Sequence, residues 1–547
     1  MSQLPGMMNT EHMPSVPEGR QVLLVNPANS VRDGQTHIEL SIYPNLGLLT
    51  LGTALRRALC DLECPVEVLY FDGALHGNGF IHDYIGCNPK RIALIGYSSY
   101  TNNYRECIGL ASHAKSCCPQ IINVIGNDHF SALYEEVMRR RVGTFDYGFY
   151  GNDVVEGFAR FVGDLLMEKV QDLSSYGGLV YRDPHDPDRI IRNREDPSEF
   201  SRLPLVDYSL VDSMLPHSDG YHQQQQASYR YMREEGLRTT VIEIARGCLK
   251  FGGARNETGV PLNACDFCGI IPGSNALAAT SADRAWEIIR NAVAQGYNYL
   301  FITADELPST FWYLLKGMAE NRPDWYLDMH AADRPRMMCY ARADVFRENA
   351  QSRIDLLVNL LGVDHFFVGL DGFTEISLRA MNKGINRRAN DVGDLVRYNL
   401  LACQEIARRG GKLTAGAVLT HIGITREIME ANFQLMSRII EDYAHLFAEL
   451  DFELLCPVPG SLSFEYLCKP GAARARANAL QLEVNDRYLD AIMPKYQEQD
   501  LFEPEELVED FIVGCCPNIT VELAYEYLRK AQSLAEKHHI TYECSSL

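Results

Sequence analysis

The chain has 547 residues, a formal net charge of −21 and 46% hydrophobic residues. It is too long for a single hydrophobic core, and domain-size statistics suggest about three or four folding units. The acidic balance argues against a nucleic-acid partner, because there is no excess of positive charge to neutralise phosphates. No apolar run reaches 18 residues, and the N-terminus lacks a basic-then-apolar signal. These features predict a cytoplasmic protein without a membrane partner.

The first part of the chain alternates strands with helices. Residues 1–19 are polar and predict a disordered tail, and residues 20–170 predict the first domain. Five apolar strands separated by helices predict a doubly wound, flavodoxin-like parallel sheet. The predicted strands are 21–27, 66–72, 92–98, 121–126 and 145–151. Residues 171–238 predict a connector, with a short hairpin and a glutamine-rich run interpreted as a solvated linker.

Small and polar residues cluster where three strands of this first domain end. Ligands of doubly wound sheets bind at the carboxyl ends of the strands. No G-x-G-x-x-G motif follows the first strand, which argues against a dinucleotide. The candidate ligand-binding residues at the strand ends are Ser98, Ser99, Tyr100, Thr101, Gly126, Asn127, His129, Gly151 and Asn152.

The second half of the chain has a different strand pattern. Six strand–helix units over residues 239–460 predict a partial (β/α)6, TIM-like barrel, with its active site at the carboxyl ends of the strands. Residues 461–547 predict a small, mostly helical C-terminal domain, with helices at 472–493 and 521–537. Polar residues end four consecutive barrel strands: Asp305 and Glu306, Arg342 and Asp344, Asp371, and Thr420 with His421.

Three cysteines follow the first predicted barrel strand. Cys248 comes directly after Gly247, and Cys265 and Cys268 follow in a loop that contains Gly, Asn and Pro. Thiolates on such a loop suit a metal better than a disulfide. They could hold zinc with one further ligand, or three irons of a 4Fe–4S cluster whose fourth iron stays open. Reduced structural thiols are the third interpretation.

The surroundings of these cysteines resemble the radical S-adenosylmethionine (SAM) enzymes. The matching features are Arg246-Gly247-Cys248 at a strand end, Phe267 before the last cysteine, and Gly269 after it. The family spacing is C-x3-C-x2-C, whereas sixteen residues separate Cys248 from Cys265 here, so an insertion of about a dozen residues must loop out. The resemblance implies that Cys248, Cys265 and Cys268 bind the cluster and that SAM chelates the open iron.

The ends of the later barrel strands extend this resemblance. Gly369-Leu370-Asp371-Gly372, followed by Lys383-Gly384, is similar to the GLES-like turn of the family, with Asp371-Gly372 in place of Glu-Ser. Cys456-Pro457-Val458-Pro459-Gly460 is similar to the turn after the sixth strand in cobalamin-fused members. The resemblance implies these SAM contacts: Phe267, Asp305, Glu306, Arg342, Asp371 and Thr420.

The first domain resembles the cobalamin-binding domain that is fused to many radical SAM enzymes. The matches are Pro44-Asn45-Leu46-Gly47-Leu48, the turn from Gly126 to His129, and Gly151-Asn152, although Asn127 and Asn152 stand where Gly and Asp are usual. The resemblance implies cobalamin contacts at Leu46, Gly47 and the strand-end residues from Ser98 to Asn152 named above. No D-x-H-x-x-G motif lies in this domain, which predicts cobalamin without a histidine beneath the cobalt.

Together the resemblances imply a cobalamin-dependent radical SAM enzyme. The expected activity is methyl transfer to an unactivated carbon or phosphorus centre of a small metabolite or natural-product intermediate. SAM would act both as methyl source and as the precursor of a 5′-deoxyadenosyl radical. The expected electron donor is a flavodoxin- or ferredoxin-type protein. Two alternatives stay open: radical ring closure, ring contraction or rearrangement with the same cofactors, and a non-catalytic zinc- or corrinoid-binding protein. No catalytic residue is assigned.

Overall fold

The structure is a computed structural model that describes residues 21–29, 43–196, 199–274, 277–347, 350–383 and 393–543. The predicted tail at 1–19 and Gly384 of the predicted SAM-binding turn lie outside these ranges. The chain divides into two compact units. The first comprises Met1–Gln224 and Ile271–Asn275, and the second comprises Gln225–Ile270 and Ala276–Leu547.

The first unit contains a seven-stranded sheet in the order β2-β1-β3-β4-β5-β6-β7. Its first five strands pair in parallel, and the order 2-1-3-4-5 is the flavodoxin-like order that the sequence predicts. The last two strands form the predicted hairpin and extend the sheet by antiparallel pairing. The strands are β1 (Gln21–Asn26), β2 (Glu67–Asp72), β3 (Ile92–Ser98), β4 (Ile122–Gly126), β5 (Tyr147–Phe149), β6 (Leu179–Asp183) and β7 (Asp186–Arg192).

Helices cover this sheet because its central strands are apolar on both faces. All seven residues of β3 are buried, and α7 buries Phe158, Phe161 and Val162 at helical spacing. The helices of this unit are α1 (Leu46–Asp61), α2 (Gly73–His76), α3 (Asn78–Cys87), α4 (Tyr104–Cys117), α5 (Asp128–Ala132), α6 (Tyr134–Arg140) and α7 (Val155–Leu166).

The glutamine-rich run is helical, which differs from the predicted linker. It lies in α8 (His217–Ser228), and the unit boundary falls inside this helix. Gln225 is buried, and its side-chain amide donates to the Thr239 carbonyl at 3.1 Å. A buried amide needs such a partner, so this part of the run is anchored to the second unit's own first strand and is not solvated.

The second unit contains a parallel sheet of seven strands in the order β16-β15-β14-β13-β12-β11-β8. Strand order follows chain order, as in the predicted partial barrel. The seventh strand, β16, comes from the C-terminal segment and was not predicted. The strands are β8 (Thr239–Ile242), β11 (Tyr299–Ile302), β12 (Arg336–Arg342), β13 (Val363–Asp371), β14 (Lys412–Val418), β15 (Phe447–Glu453) and β16 (Thr541–Glu543), and a separate antiparallel ladder joins β9 (Ala245–Arg246) to β10 (Ala278–Ala279).

Helices connect the strands of this sheet and form the C-terminal segment. The predicted helix at 472–493 is two helices, because Gln481 adopts a left-handed conformation (φ 57°) that ends the first of them. The helices are α9 (Arg230–Glu234), α10 (Ala282–Ala294), α11 (Trp312–Glu320), α12 (Asp324–Leu327), α13 (Gln351–Asp355), α14 (Glu375–Ala380), α15 (Gly393–Arg408), α16 (Arg426–Tyr443), α17 (Leu462–Cys468), α18 (Pro470–Leu480), α19 (Asp486–Glu498), α20 (Pro504–Cys515) and α21 (Val521–Lys537).

A buried polar network fills the amino-terminal end of the second sheet. The His365 ring bonds Tyr231 at 2.7 Å through Nδ1 and Thr414 at 2.8 Å through Nε2. The Tyr229 hydroxyl donates to Glu449 at 2.5 Å. Because these groups are buried and partnered, this end is packed with side chains, and the opposite, carboxyl end is the one available to ligands.

Two further findings concern membrane-spanning helices and disulfide bonds. Within the described ranges, no helix is long and apolar enough to cross a bilayer. The fifteen cysteines in those ranges are all free thiols.

Candidate functional site

The first cysteine is positioned by a short β-ladder and a glycine turn. Pairing of β9 with β10 fixes the backbone as far as Arg246. Gly247 then adopts φ 101°, a conformation that strongly favours glycine, and turns the chain. Cys248 follows in an extended conformation, is 7% exposed, and precedes a 3-10 turn at Leu249–Phe251. Its thiol therefore sits on backbone that is held on both sides.

The sixteen-residue gap closes on itself as a hairpin, which brings the second and third cysteines back to the first. The Leu262 amide donates to the Ala254 carbonyl at 2.9 Å. The Asn263 side chain reaches the Gly252 carbonyl at 3.4 Å. Ten of the sixteen residues, 253–262, lie beyond that contact, so the other six form the path between the two cysteines. The insertion loops out, as the sequence predicts.

The Cys265–Cys268 segment is tied down through the aspartate inside it. The Asp266 amide donates to the Met381 carbonyl at 3.1 Å, and its carbonyl accepts from the Ser463 amide at 2.9 Å. Its buried carboxylate accepts from the Tyr466 hydroxyl at 2.7 Å. Burial raises the Asp266 pKa to about 6. The segment is thus held from one side by the turn after α14 and from the other by α17.

The three thiols influence one another's ionisation. Cys268 donates a hydrogen bond to Cys265, which lowers the Cys265 pKa well below its ordinary value and raises that of Cys268. Burial raises the Cys248 pKa to about 11. Three cations also lower the Cys265 pKa, because their positive charge favours the thiolate: Lys250, Lys383 and Arg342. This thiol cluster therefore lies in a positively charged environment, as thiolate ligands require.

The donor set fits an iron–sulfur cluster better than a structural zinc ion. In the part of the chain that the structure describes, no three Cys, His, Asp or Glu side chains already form a metal-chelating group. A structural zinc site takes four such ligands, and three thiols are brought together here. Three soft thiolates among fixed positive charges match a cluster that carries negative charge and leaves one iron open.

Three of the predicted SAM contacts lie beside the thiols. Arg342, at the end of β12, pairs with Asp344 through Nη2 at 2.6 Å, while its Nη1 is buried without a partner. Asp371 ends β13 in a left-handed conformation (φ 55°) and pairs with Lys383. The Lys383 ammonium lies 5.5 Å above the Phe267 ring. Arg342, Asp371 and Phe267 are therefore brought together with the cysteines.

The other three predicted SAM contacts bond to the protein itself. Asp305 accepts from the Gly247 amide at 2.8 Å. The Glu306 carboxylate is buried and accepts four hydrogen bonds, from the amides and hydroxyls of Ser309 and Thr310. Thr420 is buried and accepts from the Leu455 amide at 2.8 Å. Their assignment to SAM stays a prediction.

His421, which follows Thr420, belongs to a buried network. Its Nε2 accepts from the Ser377 hydroxyl at 2.9 Å, and its Nδ1 donates to the Ile422 carbonyl at 2.9 Å. The Asn432 side-chain amide donates to the same Ser377 oxygen at 2.6 Å. Burial lowers the His421 pKa to about 4, so the ring is neutral. The network supports the turn after β13.

Sequence reasoning missed several residues around the thiols. Lys250, two residues after Cys248, donates to the Asn382 carbonyl. Asn382 in turn donates to the Ala264 carbonyl at 2.6 Å, just before Cys265. Thr310 contacts the Leu249 amide at 3.1 Å. The closeness of Lys250 to Cys248 in the sequence was the one signal available, because the other contacts arise only from folding.

In the first unit, the predicted cobalamin residues meet at the carboxyl edge of the sheet. Ser98 accepts from the side-chain amides of Asn45 (3.1 Å) and Asn127 (2.9 Å). Asn127 has φ 81°, which explains why glycine is the usual residue at this turn. Leu46 and Gly47 begin α1, which Asn45 caps. Tyr100 is exposed beside this cluster of amides and hydroxyls. The edge fits the amide-rich periphery of a corrin.

The remaining predicted cobalamin residues are engaged within the first unit. The Ser99 hydroxyl donates to the Gly126 carbonyl at 2.7 Å. His129 is buried, contacts Thr101 at 3.2 Å through Nδ1 and stacks on Tyr104. At the end of β5, the backbone amide of Asn152 donates to the Glu195 carboxylate at 2.9 Å, and a Cβ on Gly151 would lie 2.0 Å from Glu195 Cδ. A carboxylate of the chain itself thus occupies the Gly151 turn.

Comparison with known proteins gives no sequence-level relative. No protein-family model and no curated protein matches the chain. Among solved structures, the chain is similar to the radical S-adenosylmethionine methyltransferase TsrM from Kitasatospora setae, described with cobalamin and a 4Fe-4S cluster bound. The identity is 16%, the alignment covers 83% of this chain and 79% of that chain, and the TM-score is 0.56.

The chain shares its fold with TsrM. A second TsrM structure, with tryptophan substrate and the SAM analogue aza-SAM bound, aligns with a TM-score of 0.54 and 15% identity, over 83% of this chain and 77% of that one. The resemblance to cobalamin-dependent radical SAM enzymes drawn from the sequence is thereby confirmed at the level of fold.

Proposed function

We propose that this chain is a cobalamin-dependent radical SAM methyltransferase that acts on a small molecule. The observation that carries the proposal is that Cys248, Cys265 and Cys268 lie near enough to influence one another's ionisation, beside three cations, despite their unusual spacing. The TsrM-like fold supports it, because its two sheets correspond to the two cofactor domains that the sequence implies.

The cysteine loop would hold a 4Fe–4S cluster, and the cations beside it would receive SAM. When bound, the cluster supplies low-potential electrons and an open iron for SAM. Arg342 keeps its buried Nη1 free for an anionic group. Lys383 pairs with Asp371 and lies over the Phe267 ring, so Phe267 and Asp371 lie close to each other. These residues would bind and orient SAM.

The carboxyl edge of the first sheet would hold cobalamin. Asn45, Asn127 and Ser98 present amide and hydroxyl groups suited to the corrin side chains. Cobalamin supplies a methyl carrier when bound. His129 is buried and bonded, so it is not free to bind cobalt. This supports binding without a histidine beneath the cobalt.

The test is anaerobic reconstitution with iron, sulfide and hydroxocobalamin. The wild-type protein should bind about four irons and four sulfides per chain, one cobalamin, and SAM, with a visible sulfide-to-iron absorption band. With a substrate in hand, the product should gain one methyl group. Binding of zinc in place of iron, or failure to bind cobalamin after cluster assembly, would contradict the proposal. A product of unchanged mass would favour a rearrangement instead.

A further inference from the structure

Two carboxylates at the end of β11 reach the backbone on both sides of Cys248. Asp305 accepts from the amide of Gly247, the residue before the cysteine, at 2.8 Å. Glu306 reaches the amide of Leu249, the residue after it, through Thr310. The Thr310 hydroxyl accepts from the Leu249 amide at 3.1 Å and donates to Glu306 at 2.6 Å.

We infer that Asp305 and the Glu306–Thr310 relay are positioning residues for the first cluster ligand. The inference rests on the proposed function, since it assumes that Cys248 binds the cluster. It gives the acidic pair a positioning role in addition to the SAM contact that the sequence predicts. The relay fixes the two peptide units that flank the thiol, and thereby the direction in which Cys248 points.

The bonding state of Glu306 shows how firmly its carboxylate is held by the turn that carries Thr310. Its carboxylate is 1% exposed and already accepts from two amides and two hydroxyls, at 2.6 to 2.9 Å. Three of these bonds fall on Oε2 and one on Oε1, so the Oε2 oxygen is fully committed to the turn formed by Ser309 and Thr310. Arg342, by contrast, has an unpartnered Nη1.

The relay compensates for the long insertion. In a short C-x3-C loop, the second cysteine restrains the first through only three intervening residues. Here the first cysteine is followed by a sixteen-residue segment, so its orientation must be fixed from elsewhere. The loop after β11, the strand that lies next to β8 in the sheet, supplies that restraint from two consecutive residues, Asp305 and Glu306.

Thr310→Val is the variant that tests the relay. It keeps the shape of the side chain but removes the hydroxyl link between Glu306 and the Leu249 amide. Ser309→Ala is the matched control, because the Ser309 hydroxyl bonds the same carboxylate at 2.8 Å without reaching the cysteine loop. Thr310→Ser restores the hydroxyl and should restore wild-type behaviour.

The reconstituted variants would be compared by iron loss to a chelator and by SAM affinity. We expect Thr310→Val to lose iron about two- to tenfold faster than wild type, as the loss of one hydrogen bond predicts. SAM affinity should stay within about twofold. In the apoprotein, hydrogen exchange of the 247–251 backbone should accelerate in Thr310→Val and not in Ser309→Ala.

Three outcomes would overturn the inference. The first is iron loss and hydrogen exchange unchanged in Thr310→Val. The second is an equal effect in Ser309→Ala, which would indicate only a general role of Glu306 in stability. The third is a tenfold loss of SAM affinity with normal iron retention, which would leave Glu306 a role in SAM binding only. Failure of the wild-type protein to bind any cluster would contradict the proposed function instead.

Discussion

Replacing Arg342 with Ala should weaken SAM binding about 10- to 150-fold. The guanidinium is buried, and one of its two terminal nitrogens is committed to Asp344 at 2.6 Å. The other has no partner and can make one charge-assisted hydrogen bond to SAM. One such bond is worth roughly 1.5–3 kcal/mol, which corresponds to the stated range. If both terminal nitrogens of Arg342 were unpartnered, the expected loss of binding free energy would be about twice as large.

The chain offers a matched control on the same strand. Arg336 begins β12 and Arg342 ends it, and Arg336 forms ion pairs with Glu235 and Asp364. Arg336→Ala removes the same charge from a side chain that is 30% exposed, against 10% for Arg342, and it should leave SAM affinity unchanged. The assay is equilibrium dialysis of labelled SAM against the reconstituted protein, with iron content measured on the same samples. Equal SAM affinity of Arg342→Ala and wild type would refute the reasoning, as would an equal loss in Arg336→Ala.

Three other predictions follow from the same geometry. Changing Cys248, Cys265 or Cys268 to Ala should each abolish cluster assembly, measured as iron and sulfide per chain, and four irons in Cys248→Ala would show that the first ligand is misassigned. Cob(II)alamin bound to the protein should give electron paramagnetic resonance lines without three-fold nitrogen splitting, and such splitting would direct mutagenesis to two histidines of the first unit, His76 at the end of α2 and His129. The buried, neutral His421, whose pKa is lowered to about 4 by burial, should make the fold less stable as pH falls from about 6.5 to 4, because only the unfolded chain takes up the proton. The expected loss is about 3 kcal/mol in urea unfolding, and His421→Asn should lose less over that interval.

Local sequence patterns were sufficient to predict most of the fold. Apolar runs such as Ile92–Ser98 are buried on both faces, and a run of that kind predicts a strand of a covered parallel sheet. The strand β16 escaped prediction because it is only three residues long and gains its pairing from β15. The glutamine run was mistaken for a linker because its composition is polar, whereas the burial of Gln225 depends on a tertiary contact with Thr239.

The candidate site was predictable where residue type alone limits the chemistry. Three cysteines with a glycine turn pointed to a metal centre. In the structure their thiols lie near enough to influence one another's ionisation. The roles of individual polar residues at strand ends could not be predicted in the same way. Arg342 ends β12 and Glu306 follows β11, yet Arg342 retains an unpartnered donor whereas the Glu306 carboxylate accepts four hydrogen bonds. That difference depends on Ser309 and Thr310, whose positions only the folded turn defines.

The hairpin insertion provides the last test of how the cysteines come together. If residues 253–262 only loop out, the protein should tolerate their deletion with Gly252 joined to Asn263, because these two residues already contact each other at 3.4 Å. The Asn382 bond to the Ala264 carbonyl, at 2.6 Å, would remain in place. We expect about four irons per chain in the deletion variant. Glu465→Ala, which removes the hairpin's anchors to Asn256 and Thr258 without shortening the chain, is the companion variant and should also retain iron. Loss of iron in both, with the fold intact by circular dichroism, would show that the hairpin itself holds the cluster loop, and the family's short spacing would then have no equivalent in this chain.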